Sequence, residues 1–295
     1  MAKSFVSSNR LIDKNIAVVA HDAGAANLIL GFTLNNKSNY YLYLKGPALE
    51  IFSSKYKNFK NSNLKSILSK CEILISGTGW QTDFEHTCRQ EFKEKNKKVI
   101  SVIDHWVNYK ERFKYEKEEF LSDEIWVFDG HALEIATNEF PNKNIILQDN
   151  FYIHDILKKM KLIEKKDANS IVYILEPIRH KSERIIGNEF DCIDLFFKNI
   201  HLLNISFKDI IFKPHPSEDN YKYDDFLKNY IKKFNIKIDK KSSIESLIAK
   251  SVAVAGYGSM GLYIASLAGK KIILTRLQGH KKFNLPIQNY IEIKR

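Results

Sequence analysis

With 295 residues the chain can bury a substantial core, in one large or two ordinary domains. Hydrophobic residues at 44% and charged residues at 27% are ordinary globular composition, which excludes a disordered or fibrous chain. A net charge of +11 suits anionic partners, but the lysines are scattered along solvated segments such as "EFKEKNKK" and "NYIKKF", without a nucleic-acid-binding signature.

Apolar strands alternate with amphipathic stretches along the whole chain. "NIAVVA" (15–20) leads through a Gly/Ala-rich turn into the helix-like "ANLILGFTL", followed by "YYLYL" (40–44), "CEILIS" (71–76), "KVISVI" (98–103), "DEIWVF" (123–128) and "NIILQ" (144–148). "HDILKKMKLIEKKDANS" then reads as a charged stretch without strong periodicity. The pattern restarts with "SIVYIL" (170–175), "DIIF" (209–212), "FNIKI" (234–238), "SVAVA" (251–255) and "KIILT" (271–275). Buried β-rich runs separated by helices predict parallel sheets with βαβ crossovers. The expected fold class is α/β, with Rossmann-like domains at 1–160 and 166–295.

The longest apolar runs are too short to cross a bilayer, and "MAKSFVSSNRLIDKN" lacks an apolar secretory core. Three cysteines, Cys71, Cys88 and Cys192, have neither disulfide nor zinc spacing. The expectation is a cytoplasmic protein, its positive charge compatible with peripheral contact at the inner face of an anionic membrane.

In open α/β sheets ligands bind beyond the carboxyl ends of the strands, and here those ends are polar. The first strand ends in "HDAGAAN" (21–27), the third in "SGTGW" (76–80), the fourth in "DHWVNY" (104–109) and the fifth in "DGHA" (129–132). In the second half the ends are "EPIRHKSE" (176–183), "KPHPSED" (213–219) and "GYGSMG" (256–261). His215 stands between Pro214 and Pro216, which leaves its backbone little freedom. An imidazole placed so, with an ordinary pKa near 6.5, suits proton donation to a leaving phosphate. Its structural alternative is a stiff turn.

"GYGSMG" is a literal G-x-G-x-x-G, but the strand after it runs into Arg276 and Leu277 with no carboxylate before Glu292, against a nicotinamide cofactor. Gly256 and Gly258 make a tight turn there, and Ser259 is expected to cap a helix Met260–Ala268 whose free N–H groups form a phosphate site. No Asp-x-Asp pair occurs, and nine histidines form no H-x-x-x-H or H-E-x-x-H pattern, so neither a metal nor another cofactor is expected.

On these residues the chain resembles glycosyltransferases of the GT-B type, two Rossmann-like domains facing across a cleft. "FKPHP" is similar to the His-Pro motif of bacterial sialyltransferases, polysialyltransferases and Kdo transferases, and "GYGSMG" to their serine-bearing phosphate loop. Their acidic-acidic-glycine motif is matched in place by "VIDHWVNY", with His105 standing where the motif has glycine. The resemblance implies an acceptor domain at 1–160 and a nucleotide-sugar donor domain at 166–295. It implies Asp104 as general base, with Asp22 and Asp129 as rivals, and His215 at the donor phosphate. Donor contacts would come from Lys213, Pro216, Gly256, Gly258, Ser259, Met260, Glu176 and Arg179. Acceptor contacts would come from His21, Gly24, Asn27, Gly77, Thr78, Trp80 and His105. Asp104 has a structural alternative as a helix N-cap or as the partner of Arg112, and Trp106 as a core residue.

The function expected is metal-independent transfer, in bacterial surface-glycan synthesis, of a sugar from a nucleotide donor, a CMP-linked nonulosonate or Kdo, to a glycan or lipid-linked acceptor, with no nucleic-acid partner. The alternatives are a UDP-sugar 2-epimerase or a teichoic-type polyol-phosphate transferase of the same shape, and a non-catalytic nucleotide-sugar binding protein.

Overall fold

The computed structural model of the chain describes residues 11–79, 82–115, 118–163, 168–178, 187–215, 218–219, 221–277 and 284–294. Trp80, Arg179 and Pro216 lie outside the described residues. The chain divides into two compact units, Met1–His154 and Asp155–Arg295.

Along the first unit run β1 (Asn15–Ala20), α1 (Ala23–Asn35), β2 (Asn39–Leu44), α2 (Gly46–Ser53), α3 (Leu64–Lys70), β3 (Ile73–Ser76), α4 (Phe84–Glu94), β4 (Lys98–Val102), a short hairpin of β5 (Lys114–Tyr115) and β6 (Glu118–Glu119), β7 (Glu124–Val127), α5 (Gly130–Glu139), β8 (Asn144–Leu147) and the start of α6 (Phe151–Ile163). Six strands form one sheet in the order β2-β1-β3-β4-β7-β8, every neighbouring pair parallel. Along β1, Ile16, Val18 and Ala20 enter one core with Ile75, Val102 and Trp126, while Ala17 and Val19 enter a second with Leu74, Phe84 and Phe92. A strand covered on both faces must be apolar at every position, which is why β1 reads as an unbroken run.

The second unit carries β9 (Ser170–Ile174), α7 (Glu189–Asn199), β10 (Asp209–Lys213), α8 (Asp224–Ile231), β11 (Asn235–Ile238), α9 (Ile244–Ala249), β12 (Ser251–Gly256), α10 (Met260–Leu267), β13 (Lys271–Arg276) and β14 (Ile291–Lys294). Its sheet is again six-stranded and parallel, in the order β11-β10-β9-β12-β13-β14. Ile171, Tyr173, Phe196, Phe212, Ala253 and Ala255 share its core.

Both sheets reverse direction once. The chain goes from β1 out to β2 and returns to β3 on the other side of β1. In the second unit it goes from β9 through β10 to β11 and returns to β12 on the other side of β9. Such a reversal opens a crevice at the carboxyl ends of the two strands that flank it. The crevices belong to β1 and β3, and to β9 and β12.

One expectation is corrected, and two elements appear that the sequence did not announce. The lysine-rich stretch after β8 is helical: Asn150 Oδ1 accepts from Ile153 N–H at 3.0 Å, and Ile153, Ile156 and Met160 bury one face. Its lysines sit on the other positions and obscure the period. The chain also ends in an unanticipated strand, β14, whose "IEIK" alternates along a sheet edge. The β5–β6 hairpin was likewise unanticipated. Among the described residues, no helix is long and apolar enough to cross a membrane.

Candidate active site

In the first unit the switch point gathers the ends of β1, β3 and β4. Asp22 has an extended backbone, and its Oδ1 accepts from Ala25 N–H at 2.9 Å, making it the N-cap of α1. Glu85, fully buried in the first turn of α4, joins two strand ends: Oε1 accepts from His21 N–H at 2.9 Å and Oε2 from Gly79 N–H. Arg89, one turn further and also fully buried, donates to Gly77 O at 2.7 Å. The loop glycines permit this closeness, since a Cβ on Gly79 would lie 2.6 Å from His21 Cε1.

Asp104 follows β4, and its Oδ1 is ion-paired with Arg112 Nη1 at 2.6 Å, the two side chains only 14% and 6% exposed. Arg112 also donates to Thr78 Oγ1 at 3.3 Å and, through Nε, to Val107 O at 3.2 Å. The Thr78 hydroxyl donates onward to Val102 O at 2.8 Å. Of the two structural alternatives for Asp104, the Arg112 pairing is present. The N-cap is not, because the next helical turn begins only at Glu111.

Burial, then the charges of Asp104 and Glu85, push the Asp22 carboxyl up to about 6, against the pull of the Ala25 bond and His21. Glu85 holds the His21 imidazole above its ordinary value, against burial; Nδ1 lies 3.6 Å from Glu85 Oε1. His21, Asp22 and Glu85 are the only trio of metal-ligating type among the described residues, their donor atoms within 4.8 Å of one another. Both Glu85 oxygens are already committed to backbone N–H groups.

Two other candidates are engaged in structure. Asp129 caps α5 through Ala132 N–H at 2.8 Å, and its other oxygen accepts from Trp106 Nε1 at 2.9 Å. Asn27 Nδ2 donates to Ala23 O at 2.8 Å. Trp106 is buried, as its core alternative has it.

In the second unit the switch point sets Glu176, after β9, beside the loop that follows β12. Gly256 allows backbone to meet backbone, for a Cβ there would lie 2.9 Å from Ile174 O. Burial raises the Glu176 carboxyl pKa, a backbone hydrogen bond from Gly258 lowers it, and Glu218 raises it further. Glu176 Oε2 is buried without a hydrogen-bond partner among the described residues. Ser259 occupies the N-cap position of α10 (φ −73°, ψ 157°) but makes no capping bond, and its Oγ is buried and unpartnered among the described residues. The expected cap is therefore corrected: the backbone is right for it, but the hydroxyl makes no capping bond. Met260 opens α10, which ends at Leu267.

The loop after β10 carries His215 exposed, with the His215 carbonyl accepting from Glu218 N–H at 3.0 Å. Lys213 Nζ donates to Ser242 O at 2.7 Å and Lys240 O at 3.2 Å, tying β10 to the loop after β11. Glu218 accepts from Tyr223 O–H at 2.7 Å and is ion-paired with Lys222, which also pairs with Glu189. Glu189 Oε2 accepts from Ile178 N–H at 3.3 Å, so the loops after β9 and β10 are fastened to one cluster. Arg276 ends β13 paired with Glu292 at 2.9 Å.

Glu85, Arg89, Glu218 and Lys222 were missed in the sequence. The one signal for the first two was their i, i+4 spacing beside the apolar positions Phe84, Cys88 and Phe92 of α4.

No protein-family model matches the chain, and no curated protein matches it in sequence. Solved structures match it in fold. The UDP-GlcNAc 2-epimerase from Neisseria meningitidis bound to UDP-GlcNAc is similar at a TM-score of 0.58 and 13% identity, over 89% of this chain and 82% of that one. The UDP-GlcNAc 2-epimerase of Methanocaldococcus jannaschii, in complex with UDP-GlcNAc and UDP, has a TM-score of 0.58 at 11% identity, over 95% and 89%. The S. aureus MnaA–UDP co-structure has a TM-score of 0.58 at 13% identity, over 89% and 79%. At such identities the likeness is one of fold, and the fold is GT-B-like: α/β, with two six-stranded parallel Rossmann-like sheets.

Proposed function

We propose that the chain is a nucleotide-sugar enzyme of the GT-B type and, within that class, a 2-epimerase of a UDP-linked sugar. The observation that carries the reading is the pairing of Asp22 and Asp104 at the first switch point. One carboxyl is lifted to about 6 and can hold a proton near neutrality, while its neighbour is ion-paired with Arg112. Inverting a carbon that bears hydrogen requires one group to take a proton and another to return one, and two neighbouring carboxyls, one raised by burial and the other bound to a guanidinium, are suited to that. The similar structures hold UDP or UDP-GlcNAc, which supports UDP over the CMP expected from sequence.

In this reading the loop Gly256–Ser259 and the start of α10 take the diphosphate. Glu176 accepts from the nucleoside; as C2 loses its proton the C1–O bond breaks and His215 protonates the departing phosphate oxygen. Once C2 is reprotonated on its other face, that oxygen returns the proton to His215 and re-forms the bond to C1. A second reading, transfer from a CMP-sugar to a glycan or lipid-linked acceptor, uses the same groups with Asp104 or Asp22 as the only base. The exposed His215 between its prolines favours it, because a departing nucleoside monophosphate needs one fixed proton donor and no metal.

Calorimetric titration of UDP, CMP, CDP and NADP into the wild type and Ser259→Ala tests the reading. UDP binding that weakens in the variant is the expected result. Preference for CMP would move the assignment to the transferase, and binding of NADP alone would overturn both.

A further inference from the structure

His105 follows Asp104 at the end of β4, and the residue after it holds its ring in one state. Trp106 N–H donates to His105 Nδ1 at 2.9 Å. The two rings meet edge to face with centroids 5.3 Å apart. Trp106 is itself buried and fixed by its Nε1 bond to Asp129 Oδ2 at 2.9 Å. A ring nitrogen that accepts a hydrogen bond carries no proton, so the proton of the neutral ring sits on Nε2. Taking up a second proton would break the Trp106 bond and bury a positive charge beside Arg112. Burial, the larger effect, and Arg112 both hold the His105 pKa below its ordinary value, with Asp104 pulling the other way. Among the described residues nothing else hydrogen-bonds the ring.

We propose that His105 is a fixed Nε2–H donor that reads a neutral oxygen on the sugar, a hydroxyl or an acetamido carbonyl, and not a phosphate. This rests on the nucleotide-sugar reading above. A phosphate calls for a cation, and a histidine locked neutral is a poor one. A neutral donor adjoining the Asp104 carboxylate instead makes a donor–acceptor pair, complementary to groups that both give and accept a hydrogen bond. His105 stands where the motif that this segment resembles has a glycine, so the donor is a feature of this chain.

Ring-15N NMR of the full chain, with the His105 signals identified by their loss in His105→Gln, tests the state directly. The expected spectrum shows Nε2 protonated and Nδ1 bare, still neutral at pH 6.5, where an unperturbed imidazole is about half charged. The Nε2–H signal should shift on addition of UDP-GlcNAc and not on addition of UDP. Glutamine can place an N–H near Nε2 and asparagine only near Nδ1. His105→Gln should therefore bind UDP-GlcNAc within about threefold of wild type and His105→Asn about tenfold more weakly, with UDP affinity unchanged in both. Should neither variant fold, the tautomer and the sugar response of the wild type decide. An Nδ1–H tautomer, or a charged ring at pH 7, overturns the inference. UDP binding without a sugar-dependent response at His105 overturns it and leaves the proposed function standing. Failure to bind either compound overturns both.

Discussion

Gly24 and Asp104 compete for one place: a Cβ on Gly24 would lie 1.9 Å from Asp104 Oδ2. The backbone of Gly24 is ordinary helix, so the glycine is there for the carboxylate and not for its own conformation. In an open helix Gly→Ala gains about 1 kcal/mol. Here Gly24→Ala should instead cost about 1–3 kcal/mol by overpacking and at least tenfold in turnover. In a double-mutant cycle with Asp104→Ala the stability penalty should largely disappear. A Gly24→Ala protein that melts higher than wild type and keeps full activity would show that Asp104 does not lie over α1.

Asp22 gives a pH signature. Its folded pKa of about 6 lies above the 3.8 of the free group, so the folded state holds the proton more tightly than the unfolded one. Stability from this group is therefore complete below about pH 4, falls as pH rises to about 6, and stays lost above it. Asparagine caps a helix as well as aspartate does. Asp22→Asn should thus melt higher than wild type at pH 7.5, converge with it near pH 3.5, and lose about 100-fold or more in turnover. A variant less stable than wild type at pH 7.5 would contradict the charge crowding described.

Ser259 separates structure from function. A serine that caps a helix contributes about 1 kcal/mol, but this one makes no capping bond. Ser259→Ala should change stability by less than about 0.5 kcal/mol. It should nevertheless weaken UDP binding about tenfold, the worth of one hydrogen bond to a charged group. Denaturant melts alongside calorimetry check both halves, and a large stability loss would restore the serine to a capping role.

Lys222 balances Glu218 and Glu189, whose side chains are 3% and 13% exposed. Lys222→Met leaves both carboxylates without their cation. The cost should be about 2–3 kcal/mol, less than the loss of a fully buried partner because the lysine is partly in water. Urea unfolding measures it, and a neutral result would mean that the cluster does not anchor the two loops.

Most of the architecture is written in the chain where burial demands it. Strands such as β1 and β9 are apolar at nearly every position because both faces are covered, so their limits are readable to within a residue or two. α6 and β14 were not, because three lysines stand among the three buried residues of the one and the other is a four-residue edge. The switch points were legible as glycines and polar residues at strand ends, and the pairing of Asp104 with Arg112 was one of two structural alternatives that the sequence offered for that carboxylate. Glu85 was not legible: its partners lie 64 residues back at His21 and six back at Gly79, and a carboxylate in an amphipathic helix reads as solvated until the fold covers it. Ser259 shows the opposite failure, a residue of the right type at an N-cap whose hydroxyl makes no capping bond. The nucleotide base had no readable signature in the sequence at all.

Proton exchange at the sugar decides the proposed chemistry most directly. In D2O with UDP-GlcNAc and no acceptor, the wild-type protein is expected to place deuterium at C2 of the sugar and to build up the 2-epimer. Asp22→Asn and Asp104→Asn should abolish both. UDP-GlcNAc recovered with its C2 hydrogen intact, under conditions where calorimetry shows it bound, would contradict the epimerase reading.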